Sequence, residues 1–253
     1  MAPPRLVTDW FWLPNPRPHA GLRLFCFPHA GGDAPAFAEF GRSLPPDIEV
    51  WAIRLPGRGG RFNDAHADDV EQLVDWICDA MRPYLSGAYA LFGQSFGSLI
   101  AYNVGRRLAP AACVLAGLVP PTLWQGPPGP TDPSQTADFV RSIDDSVSEL
   151  LEHPELSALL LSVVQADLNL CATYLHQHEP LLDCPVLAVV GADDPLVTSE
   201  QMTDWAHGTT GPFAQRTLPG GHLVLQSANG ALTQTVAEFL HNTALASHPE
   251  GRA

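Results

Sequence analysis

Three short segments carry residues whose types and spacing could do chemistry: a serine in Gly93-Gln94-Ser95-Phe96-Gly97, an aspartate in Gly191-Ala192-Asp193-Asp194-Pro195, and a histidine in Pro219-Gly220-Gly221-His222. A serine hydroxyl is a poor nucleophile until a base takes its proton. Histidine, with an unperturbed pKa of about 6.5 as a residue type, supplies a base near neutrality. A carboxylate behind the imidazole fixes its tautomer and stabilises the imidazolium formed during attack. The expected chemistry is acyl transfer through a covalent intermediate, with Ser95, Asp194 and His222 as the catalytic residues. Of the two adjacent aspartates, Asp194 is the expected third member, and Asp193 is expected to cap the turn. Such a reaction also needs two backbone N–H groups aimed at the developing oxyanion. Phe96, next to the serine, is one expected donor; Ala30, in Pro28-His29-Ala30-Gly31-Gly32, is the other.

These residues need a scaffold that brings them together over 99 and then 28 intervening steps of chain. The apolar run Tyr89–Phe92 enters the serine segment and a helix-compatible stretch leaves it, so Ser95 is expected on a tight strand-to-helix turn. Strand patterns recur at Leu22–Phe27, Ile48–Ile53, Ala112–Leu118, Pro185–Val190 and 213–218, alternating with helical patterns such as Val70, Leu73, Val74, Ile77 and Met81. Alternation of this kind predicts a mainly parallel sheet with helices on both faces, whose site lies at the carboxyl ends of the strands. The order serine, aspartate, histidine is that of the α/β-hydrolase arrangement. The Pro/Gly-rich stretch 120–133 and a helical pattern from about 134 to 178 interrupt the alternation. We expect one domain over 1–253 with a helical lid inserted at about 121–180, and residues 1–20, rich in Pro and Trp, draped over the body.

Composition narrows the functional classes. The chain has 253 residues, 45% of them hydrophobic and 16% charged, which fits a folded domain with a large core. Its formal charge is −14 and all 13 basic side chains are arginine, without the basic stripe that nucleic-acid binding requires. Cys26, Cys78, Cys113, Cys171 and Cys184 are scattered through apolar runs, so they are expected to be reduced and buried, and no metal-ligand spacing appears. Met1-Ala2-Pro3-Pro4-Arg5-Leu6 does not read as a signal peptide, and Leu156–Leu170 is broken by Ser, Gln, Asp and Asn, so no membrane span and a cytoplasmic location are expected.

The segments Leu24–Gly32, Leu55-Pro56-Gly57-Arg58, Gly93–Gly97, Leu182–Pro185, Gly191–Pro195 and Pro219–His222 resemble those of type II thioesterases, over about residues 20–243. These stand-alone α/β-hydrolases accompany polyketide and nonribosomal peptide synthases. The resemblance implies hydrolysis of acyl groups from the phosphopantetheine arm of an acyl or peptidyl carrier protein. It implies no cofactor of the enzyme's own, because that arm belongs to the substrate; the enzyme is expected to be a monomer. By position, the family's catalytic residues fall on Ser95, Asp194 and His222 and its oxyanion donors on Ala30 and Phe96. The sequence departs from the family at Gln94 and Phe96, where His and Met are commoner, and the bulkier Phe96 is expected to reshape the acyl pocket. A carboxylesterase of small free esters, or an acyltransferase or release enzyme with the same residues, are the alternatives; a non-catalytic carrier-binding adaptor is a third. Arg54, Arg58 and Arg61 crowd into one loop, where they either meet the carrier or pin the loop to nearby carbonyls.

Overall fold

A computed structural model describes residues 3–127 and 129–245, so the outermost parts of the expected 1–253 domain lie outside the described residues. Eight strands form one sheet: β1 Arg5–Thr8, β2 Phe11–Leu13, β3 Leu22–Phe27, β4 Ile48–Ile53, β5 Ala88–Gln94, β6 Ala112–Ala116, β7 Val186–Gly191 and β8 Phe213–Leu218. Their order is β1-β2-β4-β3-β5-β6-β7-β8, and from β4 to β8 every pairing is parallel. This is the α/β-hydrolase fold.

The N-terminal segment corrects the expectation of a draped arm. β1 and β2 pair antiparallel with each other, and β2 pairs antiparallel with β4, so residues 5–13 extend the sheet. Phe11 anchors this extension. It is fully buried and its ring meets Phe25, Trp51 and Tyr84 edge-on at 5.5–5.7 Å.

The central strands are buried on both faces, which is why they read as continuous apolar runs. On one side pack helices α1 Ala38–Ser43 and, from the C-terminus, α9 Asn229–Asn242; on the other lie α2 Val70–Met81 and α3 Phe96–Leu108. α2 starts because the Asp69 carboxylate accepts from Gln72 N–H, and it buries Val70, Leu73, Val74, Ile77 and Met81 on one face.

Between β6 and β7 the chain leaves the sheet for α4 Pro133–Ile143, α5 Ser148–Leu151 and α6 Pro154–Ala172. Helix ends at Ala172, and 173–185 is largely irregular, so the helical pattern expected to run to 178 stops earlier. α6 divides along its length. Leu156 and Leu159 in its first half are half-exposed, whereas Val163, Val164, Leu168 and Cys171 are buried. By length and composition this 19-residue helix could cross a membrane, contrary to the reading of its polar interruptions as breaks. Two of those interruptions, Gln165 and Asp167, are buried in polar contacts with the rest of the fold. After β7 come α7 Ser199–Met202 and, following β8, α8 Val224–Ser227.

Candidate active site

Ser95 sits between β5 and α3 with φ 53° and ψ −120°, in the left-handed region that costs a non-glycine residue of order 1–3 kcal/mol. The surroundings force this conformation. Ser95 N–H donates to Ala116 O at 2.8 Å, and the buried Ser98 hydroxyl lies 2.8 Å from Gly93 O and 2.9 Å from Ala116 O, binding the turn to β6. A Cβ at Gly97 would lie 2.1 Å from Phe27 O, and one at Gly93 2.4 Å from Gly97 O, so both positions require glycine for close approach. Strand and helix thus meet at an angle that leaves the serine side chain at the carboxyl end of the sheet.

His222 follows β8, and its Nε2 lies 2.9 Å from Ser95 Oγ. Its Nδ1 lies 3.0 Å from each oxygen of Asp194, so the proton on Nδ1 faces a carboxylate and Nε2 is left to accept. Both of these side chains are shielded from solvent. Asp194 Oδ1 also accepts from Leu196 N–H at 2.8 Å and Val197 N–H at 3.1 Å. The turn-capping role expected of Asp193 therefore belongs to Asp194, whose carboxylate closes the turn and orients the imidazole at once; Asp193 is exposed. The structure thus brings Ser95, His222 and Asp194 into one chain of contacts and leaves Asp193 out of it.

Ala30 and Phe96 line the same cavity as Ser95. Phe96 is the first residue of α3, where N–H groups lack intrahelical acceptors. Ala30 stands in the turn His29–Gly32, closed by Gly32 N–H donating to His29 O at 2.9 Å. Among the described residues neither N–H is engaged by a protein acceptor, so both can serve a developing negative charge. The cavity, of about 50 Å³, is mainly apolar, walled by Phe139, Val140, Ile143, Leu160, Val164, Leu168 and Leu223 among others, with His29 and Asp144 also on its lining. Phe96 is fully buried and forms part of this wall.

Three contributors escaped the sequence reading. Gln94 is fully buried; its Oε1 accepts from Leu225 N–H at 2.8 Å and its Nε2 donates to Gln226 Oε1 at 3.1 Å, tying the serine turn to α8 beside His222. His29 points its shielded Nδ1 at no hydrogen-bond partner among the described residues, and burial, helped by nearby His222, pushes its pKa down to about 4. Asp167, a polar interruption in α6, pairs with Arg58 at 2.5 Å. No local signal marks these contacts, since each joins residues more than a hundred positions apart or depends on burial.

The arginine loop resolves towards pinning. Arg58 is buried and donates to Asp167, Gly32 O and Pro56 O. Arg61 pairs with Asp64 at 2.7 Å, donates to Arg54 O at 3.0 Å and lies 3.8 Å over the Trp10 ring. Arg54 donates to Asp9 O at 3.2 Å. All five cysteines are free and buried, and among the described residues no cluster suited to a metal ion occurs.

The thioesterase domain profile matches residues 22–243. The chain belongs to the thioesterase family. This thioesterase is 30% identical to thioesterase PikA5 of Streptomyces venezuelae, over 94% of its own length and 88% of that protein's. It is also 30% identical to the gramicidin S biosynthesis protein GrsT of Aneurinibacillus migulanus, over 92% and 94%. Among solved structures, it is similar to the RedJ thioesterase from the prodiginine biosynthetic pathway of Streptomyces coelicolor, with a TM-score of 0.80, 32% identity and 87% of each chain covered. The type II thioesterase BorB from the borrelidin biosynthetic cluster superposes with a TM-score of 0.84 at 28% identity, covering 93% of this thioesterase and 99% of that chain.

Proposed function

We propose that the protein is a stand-alone type II thioesterase that hydrolyses acyl groups from the phosphopantetheine arm of acyl or peptidyl carrier proteins of a polyketide or nonribosomal peptide synthase. The observation that carries this reading is the continuous contact Asp194–His222–Ser95 opening onto a mainly apolar cavity, in a chain of the thioesterase family whose relatives include biosynthetic thioesterases.

The geometry supports a two-step reaction. Ser95 Oγ attacks the thioester carbonyl carbon as its proton passes to His222 Nε2, 2.9 Å away. The imidazolium is stabilised by Asp194 at 3.0 Å, and the tetrahedral oxyanion is met by the N–H groups of Ala30 and Phe96. Collapse breaks the carbon–sulfur bond, and His222 returns the proton to the departing pantetheine thiol. Water then attacks the acyl-enzyme with His222 as base, releasing the carboxylic acid and regenerating Ser95. The reaction requires no cofactor beyond the arm that the substrate brings. In this reading α4–α6 form the lid over the acyl cavity, since Phe139, Val140, Ile143, Leu160, Val164 and Leu168 on them supply most of its wall.

Steady-state hydrolysis of a carrier-bound acyl thioester, set against a soluble ester with the same acyl group, tests the reading. The thioesterase reading expects kcat/KM to favour the carrier-bound thioester. A preference for the soluble ester would support a carboxylesterase, and capture of the acyl group by an added alcohol or amine in place of water would support a transferase.

A further inference from the structure

The mechanism leaves the buried pair Arg58–Asp167 unused. Asp167 projects from the lid helix α6, and its Oδ1 and Oδ2 lie 2.5 and 2.6 Å from the two guanidinium ends of Arg58. Oδ2 also accepts from Gly31 N–H at 2.8 Å, while Arg58 Nη1 donates to Gly32 O at 3.1 Å. Acid and base together therefore grip two consecutive residues of the turn that presents Ala30.

Four-residue turns adopt two common backbone forms that differ by a flip of the central peptide, here Ala30–Gly31. The φ of +77° at Gly31, the third position of this turn, is that of a type II turn. In this form Gly31 N–H points at Asp167; after a flip, Ala30 C=O would face the carboxylate instead, oxygen against oxygen. His29 C=O is committed inside the turn to Gly32 N–H, so the N–H of the same trans peptide, that of Ala30, points out of it in either form. The contacts at Gly31 and Gly32 decide where the turn that carries it sits. Val164, one turn of α6 before Asp167, closes the other side: a Cβ at Gly31 would lie 2.4 Å from its Cγ2.

We propose that Asp167, held by Arg58, is a positioning residue of the reaction, fixing the turn so that Ala30 N–H stays aimed at the oxyanion. This rests on the thioesterase reading. Stability alone gives little reason for the pair, because a buried ion pair can often be replaced by apolar side chains of similar volume without loss. A grip on the oxyanion turn accounts for what an apolar pair could not provide, an acceptor for Gly31 and a donor for Gly32. It also makes the oxyanion site dependent on the lid helix staying docked.

The test compares wild type, Asp167→Asn and the charge-free double variant Arg58→Met/Asp167→Leu on an acetyl-pantetheine thioester that lacks the carrier. The same three proteins are titrated with an alkyl boronic acid, which forms a tetrahedral adduct on the serine. In the double variant kcat is expected to fall about 10- to 100-fold, up to the loss of a whole oxyanion donor. KM should stay within about twofold, and boronate affinity should weaken in parallel with kcat. Asp167→Asn keeps an oxygen acceptor for Gly31 and is expected to recover to within about tenfold of wild type. A folded double variant with wild-type kcat, a loss confined to KM, or a fall in kcat without weaker boronate binding would each overturn the proposal. So would failure of both variants to fold, which would make the pair structural. Wild type that leaves acetyl-pantetheine intact would instead count against the thioesterase reading itself.

Discussion

Asp194 faces His222 Nδ1 with both carboxylate oxygens at 3.0 Å, while its neighbour Asp193 lies at the surface. One residue's difference in position after β7 thus separates a buried orienting group from a solvated one. Asp194→Asn is expected to lower kcat by up to about 10⁴-fold, because the amide no longer enforces the tautomer with a proton on Nδ1. Asp193→Asn should leave kcat within about twofold. Kinetics of the two variants on one acyl-pantetheine check the assignment, and the reverse ranking would refute it.

How much of this was legible follows from what each feature depends on. Ser95 and Asp194 each follow a strand whose apolar run is visible by eye, whereas β8 before His222 reads Phe-Ala-Gln-Arg-Thr-Leu and is only partly buried. The meeting of the three follows from their places at the carboxyl ends of a parallel sheet. β1 and β2 have only four and three residues and sit among prolines and tryptophans, too short for alternation to register. The Arg58–Asp167 pair spans 109 positions, and in sequence Asp167 looks only like a polar break in an apolar helix. Asp193 and Asp194 could be ranked, but that Asp194 also caps the turn depended on backbone geometry that no spacing reveals.

Gln94 joins the serine turn to the segment carrying His222. Gln94→Ala leaves Leu225 N–H buried without its acceptor, at a cost of about 1–3 kcal/mol. The expected result is a lower Tm together with a reduced kcat, since α8 begins two residues after His222. Chemical denaturation and acyl-pantetheine kinetics on the same preparation check both; an unchanged Tm would remove the argument.

His29 makes the fold sensitive to acid. Burial holds its folded pKa near 4, whereas in the unfolded chain it takes up a proton near its ordinary 6.5. Between these values the unfolded state binds more protons, so this residue's contribution is fully present above about pH 6.5 and is lost as pH falls towards 4. His29→Gln should therefore lose less Tm than wild type on going from pH 7.5 to 5. Equal losses in the two proteins would show that His29 is free to protonate in the fold.

Leu159 and Leu160 are adjacent in the lid helix, but of the two only Leu160 reaches the cavity with Ser95. Leu160 borders both that cavity and an outer groove with Phe62 and Leu156, whereas Leu159 is half-exposed and borders the groove alone. Leu160→Gln is expected to lower kcat/KM for a longer acyl chain at least about tenfold more than for acetyl. Leu159→Gln should change the two alike, and little. Competition between acyl-pantetheines of two chain lengths reads this ratio directly; the same ratio in both variants would contradict the placement of the acyl chain against Leu160.

The central claim is that Ser95 removes acyl groups from a carrier-bound arm. Intact-protein mass spectrometry of an acyl-loaded carrier protein, incubated with wild type or with Ser95→Ala, tests it most directly. Wild type should return the free phosphopantetheine thiol form of the carrier with release of the acid, and folded Ser95→Ala should slow this by about 10⁴- to 10⁶-fold. Deacylation by folded Ser95→Ala at the wild-type rate, or an acyl-carrier left intact by wild type, would contradict the account.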